Sequence, residues 1–136
     1  MDFLTAVKTC LISKYANFQG RASRSEFWFF TLFFCIYAFI AGFLLGYAGV
    51  RKDTVEVALL ISYLPILIPY FAVAARRLHD MNQSGWIQCV FMPGFIADEF
   101  LGTGWILYLV TLGLYIFWFS QKGNKSKNKY GPVPKK

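Results

Sequence analysis

The feature that most constrains the fold is a run of 22 residues, 27–48, that contains no charged side chain. A helix of that length reaches about 33 Å, which is enough to cross a hydrocarbon core of about 30 Å. A second run, residues 55–75, is almost as long and carries only Glu56 near one end. Runs of this kind are typical of membrane-spanning helices.

The composition agrees with a single integral membrane domain. Of the 136 residues, 57% are apolar and 15% are charged, whereas soluble domains are about 25% charged. The net charge of +7 comes from basic residues that flank the apolar runs. That arrangement favours contact with a lipid bilayer and its anionic headgroups, and it argues against nucleic-acid binding.

Four membrane segments are predicted, in an all-α, polytopic membrane helix bundle. Residues 86–119 are barely long enough for two crossings, and Pro93-Gly94 interrupts the first of them. We therefore expect a segment at 86–97 that is short or re-entrant and another at 101–119, with Asp98 and Glu99 at the turn between them.

The two ends of the chain are predicted to lie outside the bilayer. Residues 2–16 have the period of an amphipathic helix, which either lies in the interface or packs on the protein's own loops. Its apolar face comprises Phe3, Leu4, Val7, Leu11, Ile12 and Tyr15. Residues 120–136 contain six lysines and almost no apolar side chains, and this pattern predicts a solvated basic tail.

The distribution of basic residues predicts that both termini are cytoplasmic. With four crossings, 12 of the 14 basic residues lie on the side of the termini, and only Arg51 and Lys52 lie on the other. Such asymmetry is the pattern of the positive-inside rule.

A polar cluster is expected on that cytoplasmic face. Ser23 and Glu26 have the spacing of a capping box, so the first spanning helix should begin there. If the second helix continues past Ala75, Asp80 has the spacing to pair with Arg76 or Arg77, and Glu26 is a further candidate partner for either arginine. The cluster that is predicted to bind lipid or a partner, or to be structural, consists of Arg21, Arg24, Glu26, Arg76, Arg77, His79 and Asp80.

No catalytic, metal or cofactor site is predicted. Cys10, Cys35 and Cys89 share no short spacing and have no neighbouring histidine, which excludes the usual zinc and haem motifs. Ala38, Gly42 and Gly46 lie four residues apart. This stripe of small residues favours close helix packing, either within the chain or in a homo-oligomer.

Three separate motifs stand out along the chain: Gly20-Arg21-Ala22-Ser23-Arg24-Ser25-Glu26-Phe27-Trp28, Arg76-Arg77-Leu78-His79-Asp80 with Ser84-Gly85-Trp86, and Asn128-Lys129-Tyr130-Gly131-Pro132. Together they resemble a family of small bacterial inner-membrane proteins known as domain of unknown function 805. The resemblance implies an inner-membrane location, several spans and cytoplasmic termini, and it implies no reaction. It also singles out Tyr130-Gly131-Pro132, which we expect to fold back near the Arg-Arg-Leu-His-Asp motif.

These observations leave three functional readings. The first is a non-enzymatic membrane protein whose polar cluster binds anionic lipid headgroups or a protein partner. The second is a membrane enzyme that acts on a lipid phosphate, with His79 and Asp80 catalytic. The third is a small oligomeric channel or transporter. A packed, ion-paired cluster would favour the non-enzymatic membrane protein. A cavity that exposes His79 would favour the enzyme, and a polar path between subunits would favour the channel or transporter.

Overall fold

The computed structural model describes residues 1–49, 51–93 and 105–134. Every named element of secondary structure within these ranges is a helix, so the expected all-α class is confirmed. Helix α1 spans Phe3–Lys8 and continues as a π-helical turn over Thr9–Ser13. The remaining elements are α2 (Arg24–Tyr47), α3 (Lys52–Asp80), a 3₁₀ helix (Gly85–Val90) and α4 (Trp105–Ser120).

Helices α2 and α3 are the two described helices that are long and apolar enough to cross a membrane. Helix α2 has 24 residues and begins directly after Ser23, the predicted N-cap. Helix α3 has 29 residues and continues past Ala75 to Asp80, which gives it a length of about 44 Å. Its last turn therefore extends beyond the predicted span of 55–75.

The described helices in the third and fourth predicted segments are each shorter than a membrane crossing. The segment expected at 86–97 begins as the 3₁₀ helix Gly85–Val90, which advances only about 12 Å at about 2 Å per residue. Helix α4 has 16 residues and reaches about 24 Å. Residues 94–104, which include the acidic pair and the expected start of the fourth segment, lie outside the described residues.

The described residues form two compact units. The first unit consists of Met1–Asn17 and Ser25–Val73, and rings on α2 pack against rings on α3 within it. The Phe34 ring lies 5.6 Å from the Tyr63 ring and 5.4 Å from the Tyr70 ring, centroid to centroid. Aromatic pairs at these distances add to the stabilisation gained from burial alone.

The N-terminal segment also packs within this first unit. Ala6 and Cys10 are fully buried, whereas Leu4 and Ile12 of the expected apolar face are exposed. The Tyr15 hydroxyl donates to the carbonyl oxygen of Pro65 at 2.6 Å. That oxygen has no partner within the helix because the residue four positions later, Pro69, has no N–H group. The segment thus packs on the protein's own helices, and Tyr15 donates to the α3 carbonyl that Pro69 leaves without a helical donor.

The second unit consists of the described parts of Phe18–Arg24 and Ala74–Lys136. The Phe91 ring, just after the 3₁₀ helix, lies 5.5 Å from the Tyr115 ring and 6.2 Å from the Phe119 ring of α4. Leu78 and Phe119 are fully buried. This unit contains the end of α3, the end of α4 and the described part of the C-terminal tail, residues 121–134.

Candidate polar site at the end of α3

Helix α3 ends in a Schellman motif formed by its own sequence. Asn82 has a positive φ of 61°, a conformation that asparagine tolerates better than most residues. The Gln83 N–H donates to the Leu78 carbonyl and the Asn82 N–H donates to the His79 carbonyl, both at 3.0 Å. These two bonds are those of the motif, and they place His79 and Asp80 in the last turn of the helix.

Asp80 lies between two arginines. Arg77 Nη1 donates to Asp80 Oδ2 at 2.7 Å, and Arg21 Nε donates to Asp80 Oδ1 at 2.9 Å. Arg21 is 6% exposed, Arg77 0% and Asp80 6%, so solvent screens these pairs little. Burial lowers the pKa of the Arg77 guanidinium from its ordinary value, and the Asp80 charge opposes that shift. We call these three residues the arginine–aspartate cluster.

The remaining donors of both arginines bind main-chain carbonyls of the tail and of the end of α4. Arg77 donates to the carbonyls of Phe119, at 3.1 Å, and of Gln121. Arg21 donates to the carbonyls of Asn124 at 2.5 Å, Ser126 at 2.7 Å and Gly131 at 3.3 Å. Two planar guanidinium groups can serve this many acceptors because each carries five N–H donors.

The tail in turn donates to the last carbonyls of α3: the Asp80 carbonyl and, beside the Asn82 N–H, the His79 carbonyl. The Asn124 N–H donates to the Asp80 carbonyl, and the Asn128 side-chain amide donates to the His79 carbonyl, both at 2.8 Å. Gly123 fits directly against the Asp80 side chain, because a Cβ atom at Gly123 would lie 1.7 Å from Asp80 Oδ2. The tail was predicted to be solvated; its main chain is bound here, while the lysine side chains stay exposed.

Tyr130 packs on His79. Their ring centroids are 3.8 Å apart and the ring planes differ by 7°, which confirms that the Tyr130 segment folds back near the Arg-Arg-Leu-His-Asp motif. A tight turn holds the tyrosine, since the Tyr130 N–H donates to the Asn128 side-chain oxygen at 2.9 Å. Gly131 closes this turn with a φ of +130°, which side chains disfavour.

The contacts of His79 define its protonation. Its Nδ1 lies 3.1 Å from the Gly20 carbonyl oxygen, and since a carbonyl only accepts, Nδ1 carries the hydrogen. Its Nε2 lies close to Gly85, because a Cβ atom added at Gly85 would be 3.4 Å from His79 Nε2. Burial lowers the pKa of His79, with a smaller contribution from the charge of Lys129, while the Gly20 bond opposes the shift. The neutral ring is the form that suits this site.

Hydrogen bonds in the structure join four members of the predicted polar cluster. Arg21, Arg77, His79 and Asp80 lie in one bonded network. Of the two ion pairs that the helical spacing allowed, Arg76–Asp80 and Arg77–Asp80, the structure shows Arg77–Asp80. Arg76 and Glu26 are buried and Arg24 is exposed; the pairing of Glu26 with Arg76 or Arg77 stays a prediction. The sequence reasoning missed Gly123 and Asn124. It reached Asn128 only as part of the family motif, although an asparagine two residues before a tyrosine-glycine pair is a turn signal.

A groove of about 380 Å³ opens beside this network. Its lining residues come from the chain after α3, the end of α4 and the start of the tail: Met81, Gln83, Phe117, Trp118, Gln121 and Lys122. The Trp118 indole N–H donates to the Gln83 side-chain oxygen at 2.8 Å. Among the described residues, no group of three or more His, Cys, Asp or Glu side chains is placed to hold a metal ion.

Comparison with known proteins identifies the family. The family model described as protein of unknown function (DUF805) matches residues 15–132. The inner membrane protein YhaH of Escherichia coli K12 is 32% identical over 126 residues, which cover 92% of this chain and 93% of YhaH. The inner membrane protein YhaI of the same strain is 35% identical over 127 residues and 92% of each chain. No solved structure matches. The chain therefore belongs to the DUF805 family, as its three motifs suggested, and resembles relatives that are inner-membrane proteins.

Proposed function

We propose that this protein is a non-enzymatic, multi-pass protein of the bacterial inner membrane that binds anionic lipid headgroups through its C-terminal tail. In this proposal the arginine–aspartate cluster is structural, and it holds the tail against the cytoplasmic ends of α3 and α4. Four membrane segments place both termini in the cytoplasm, as the distribution of basic residues predicts.

The observation that carries the proposal is that the two buried arginines make their hydrogen bonds within the protein. The hydrogen bonds that Arg21 and Arg77 donate run to Asp80 and to main-chain carbonyls between residues 119 and 131. Arginines that are buried and bonded in this way are poorly placed to reach a headgroup. The exposed cations beside them are better placed: Lys122, Lys125, Lys127 and Lys129.

Anionic headgroups are the partner that this lysine-rich surface suits best. A basic residue near an anionic leaflet contributes about 1 kcal/mol of binding, so four lysines held at the surface would give a substantial attraction. Fixing the main chain lowers the entropy that the tail would otherwise lose on binding.

The same geometry supports a non-enzymatic role over the lipid-phosphate enzyme. Both oxygens of Asp80 are bonded to arginines, and one face of the His79 ring is covered by Tyr130. A general acid or base must lie within hydrogen-bond distance of the substrate group with which it exchanges a proton, and these contacts restrict the access of a substrate to Asp80 and His79.

A homo-oligomer remains part of the proposal. An added Cβ atom at Gly42 or Gly46 would meet no atom of the described residues within 4 Å, so these two positions of the stripe are not covered by that part of the chain. A second copy is the partner that such a stripe would accept in the bilayer.

Native mass spectrometry from nanodiscs tests the lipid proposal. Nanodiscs of phosphatidylglycerol and phosphatidylcholine in equal amounts would be used, and we expect the released protein to retain phosphatidylglycerol. Replacing Lys122, Lys125, Lys127 and Lys129 together by Gln should remove that preference. Replacing Arg51 and Lys52 by Gln is the control and should leave it unchanged. An unaltered preference in the fourfold tail variant would refute the proposal.

A further inference from the structure

We infer that the groove lined by Met81, Gln83, Phe117, Trp118, Gln121 and Lys122 binds the phosphate-bearing headgroup of one anionic phospholipid. This inference rests on the proposed function and goes further, because it assigns one stoichiometric site in place of a general attraction to the membrane surface. We call this feature the headgroup groove.

The position of the headgroup groove fits a lipid. Phe117 and Trp118 belong to the last turns of α4, whose sequence is apolar up to Phe119. Lys122 is the first charged residue after that helix. The groove thus lies where an apolar helix surface gives way to a basic segment, which is the level at which tryptophan and lysine meet headgroups.

The chemistry of the lining is complementary to a phosphate diester. The exposed ammonium group of Lys122 supplies positive charge, and none of the described residues that line the groove is acidic. The Gln83 side-chain oxygen already accepts from Trp118, so the amide nitrogen of Gln83 is the end that can donate to a ligand. Phe117, which is 64% exposed, offers an apolar surface for the glycerol and the first methylene groups.

The size of the groove suits a headgroup and not a folded partner. Its volume of about 380 Å³ lies near the lower end of the range for small-molecule sites. A glycerophosphate headgroup would fill such a space while the acyl chains stay in the bilayer.

The arginine–aspartate cluster fixes the basic wall of the groove. On one side of Lys122, the Gln121 carbonyl accepts from Arg77. On the other side, Asn124 binds both Arg21 and the Asp80 carbonyl. The main chain that carries Lys122 is therefore held at both flanks, and a pre-ordered donor binds with a smaller entropic cost than a mobile one.

The experiment compares two tail lysines of equal charge. Lys122 lines the groove, and Lys125 is an exposed lysine that does not. Full-length Lys122→Gln and Lys125→Gln proteins would be released from nanodiscs that contain phosphatidylglycerol, and the bound lipid counted by native mass spectrometry. We expect one retained phosphatidylglycerol per chain, weakened about fivefold by Lys122→Gln and less than twofold by Lys125→Gln.

Three further readouts make the outcome decisive. Hydrogen exchange of the tail in Lys122→Gln should match the unsubstituted protein, which excludes loss of the fold as the cause. Fluorescence quenching by brominated phosphatidylglycerol should fall in Trp118→Phe more than in Trp105→Phe. Glycerol 3-phosphate in solution should not displace the lipid at matched concentration; displacement would overturn the lipid assignment in favour of a free phosphate compound.

The failures of the two proposals differ. Equal weakening by Lys122→Gln and Lys125→Gln, with no stoichiometric lipid, would overturn the headgroup groove and leave the general binding of the tail intact. An unchanged phosphatidylglycerol preference in the fourfold lysine variant would overturn both.

Discussion

Replacing Gly123 by Ala tests how closely the tail fits the arginine–aspartate cluster. The added Cβ atom would lie 1.7 Å from Asp80 Oδ2 and 2.5 Å from Asp80 Cγ, distances at which one of the two groups has to move. Asp80 can move only by giving up its bonds to Arg21 and Arg77 at 2.9 and 2.7 Å. A hydrogen bond to a charged group contributes about 1.5–3 kcal/mol, so the alternative is that the tail moves away.

Either adjustment weakens docking of the tail by about 2–4 kcal/mol, which is about 30- to 1000-fold in the docking equilibrium. Hydrogen exchange in nanodiscs measures this directly, since the Asn124 and Gly131 amides are bonded in the docked tail. Gly113→Ala is the matched control because its added Cβ atom would meet nothing within 4 Å. Equal protection of the Asn124 amide in Gly123→Ala and in the unsubstituted protein would refute the account of this contact.

Three other predictions follow from the same contacts. Asp80→Asn leaves two buried guanidinium groups without their carboxylate and should lower the free energy of unfolding by about 3–5 kcal/mol. The control Asp53→Asn, in an exposed pair with Arg51, should change that free energy by less than about 1 kcal/mol. Equal losses in the two variants, measured by thermal or steric-trapping unfolding, would contradict the structural role of the cluster. Tyr15→Phe removes the donor to the Pro65 carbonyl and should cost about 1 kcal/mol in the same assay, with the exposed Tyr47→Phe as its control. Burial and the charge of Lys129 lower the pKa of His79, and Lys129 and the stacked Tyr130 both belong to the tail. Release of the tail should therefore let His79 bind a proton more readily, so docking should be complete above the ordinary pKa of about 6.5 and weaken as the pH falls below it. Tail exchange at pH 7.5 and 5.5, corrected for intrinsic rates, should show this in the unsubstituted protein and not in His79→Gln.

The long helices were predictable because their signals are local. Residues 27–48 and 55–75 lie within α2 and α3 apart from a single residue, Ala48, since runs without charge and a capping sequence mark a helix wherever it occurs. An ion pair of Asp80 with Arg76 or Arg77 was predictable for the same reason, because residues three or four apart on a helix are neighbours. The spacing did not decide between the two arginines.

The docking of the tail was not predictable from composition. Arg21 binds carbonyls that lie 103 to 110 residues further along the chain, and no local pattern records such a contact. Lysine content correctly indicates exposed side chains in residues 122–129, but it carries no information on main-chain carbonyls. Only the resemblance to the family drew attention to Tyr130, and the π-helical turn at Thr9–Ser13 had no signal in the apolar period of residues 2–16.

The contact between His79 and Tyr130 offers the most direct test of the docked tail. The chain has a single histidine, so ring labelling of histidine and tyrosine gives one assignable pair in solid-state NMR of the full-length protein in liposomes. The account predicts a strong dipolar cross-peak, corresponding to ring centroids 3.8 Å apart, that disappears in Tyr130→Leu. Absence of that cross-peak from the unsubstituted protein at pH 7.5 would contradict the docked tail and, with it, the structural role of the arginine–aspartate cluster.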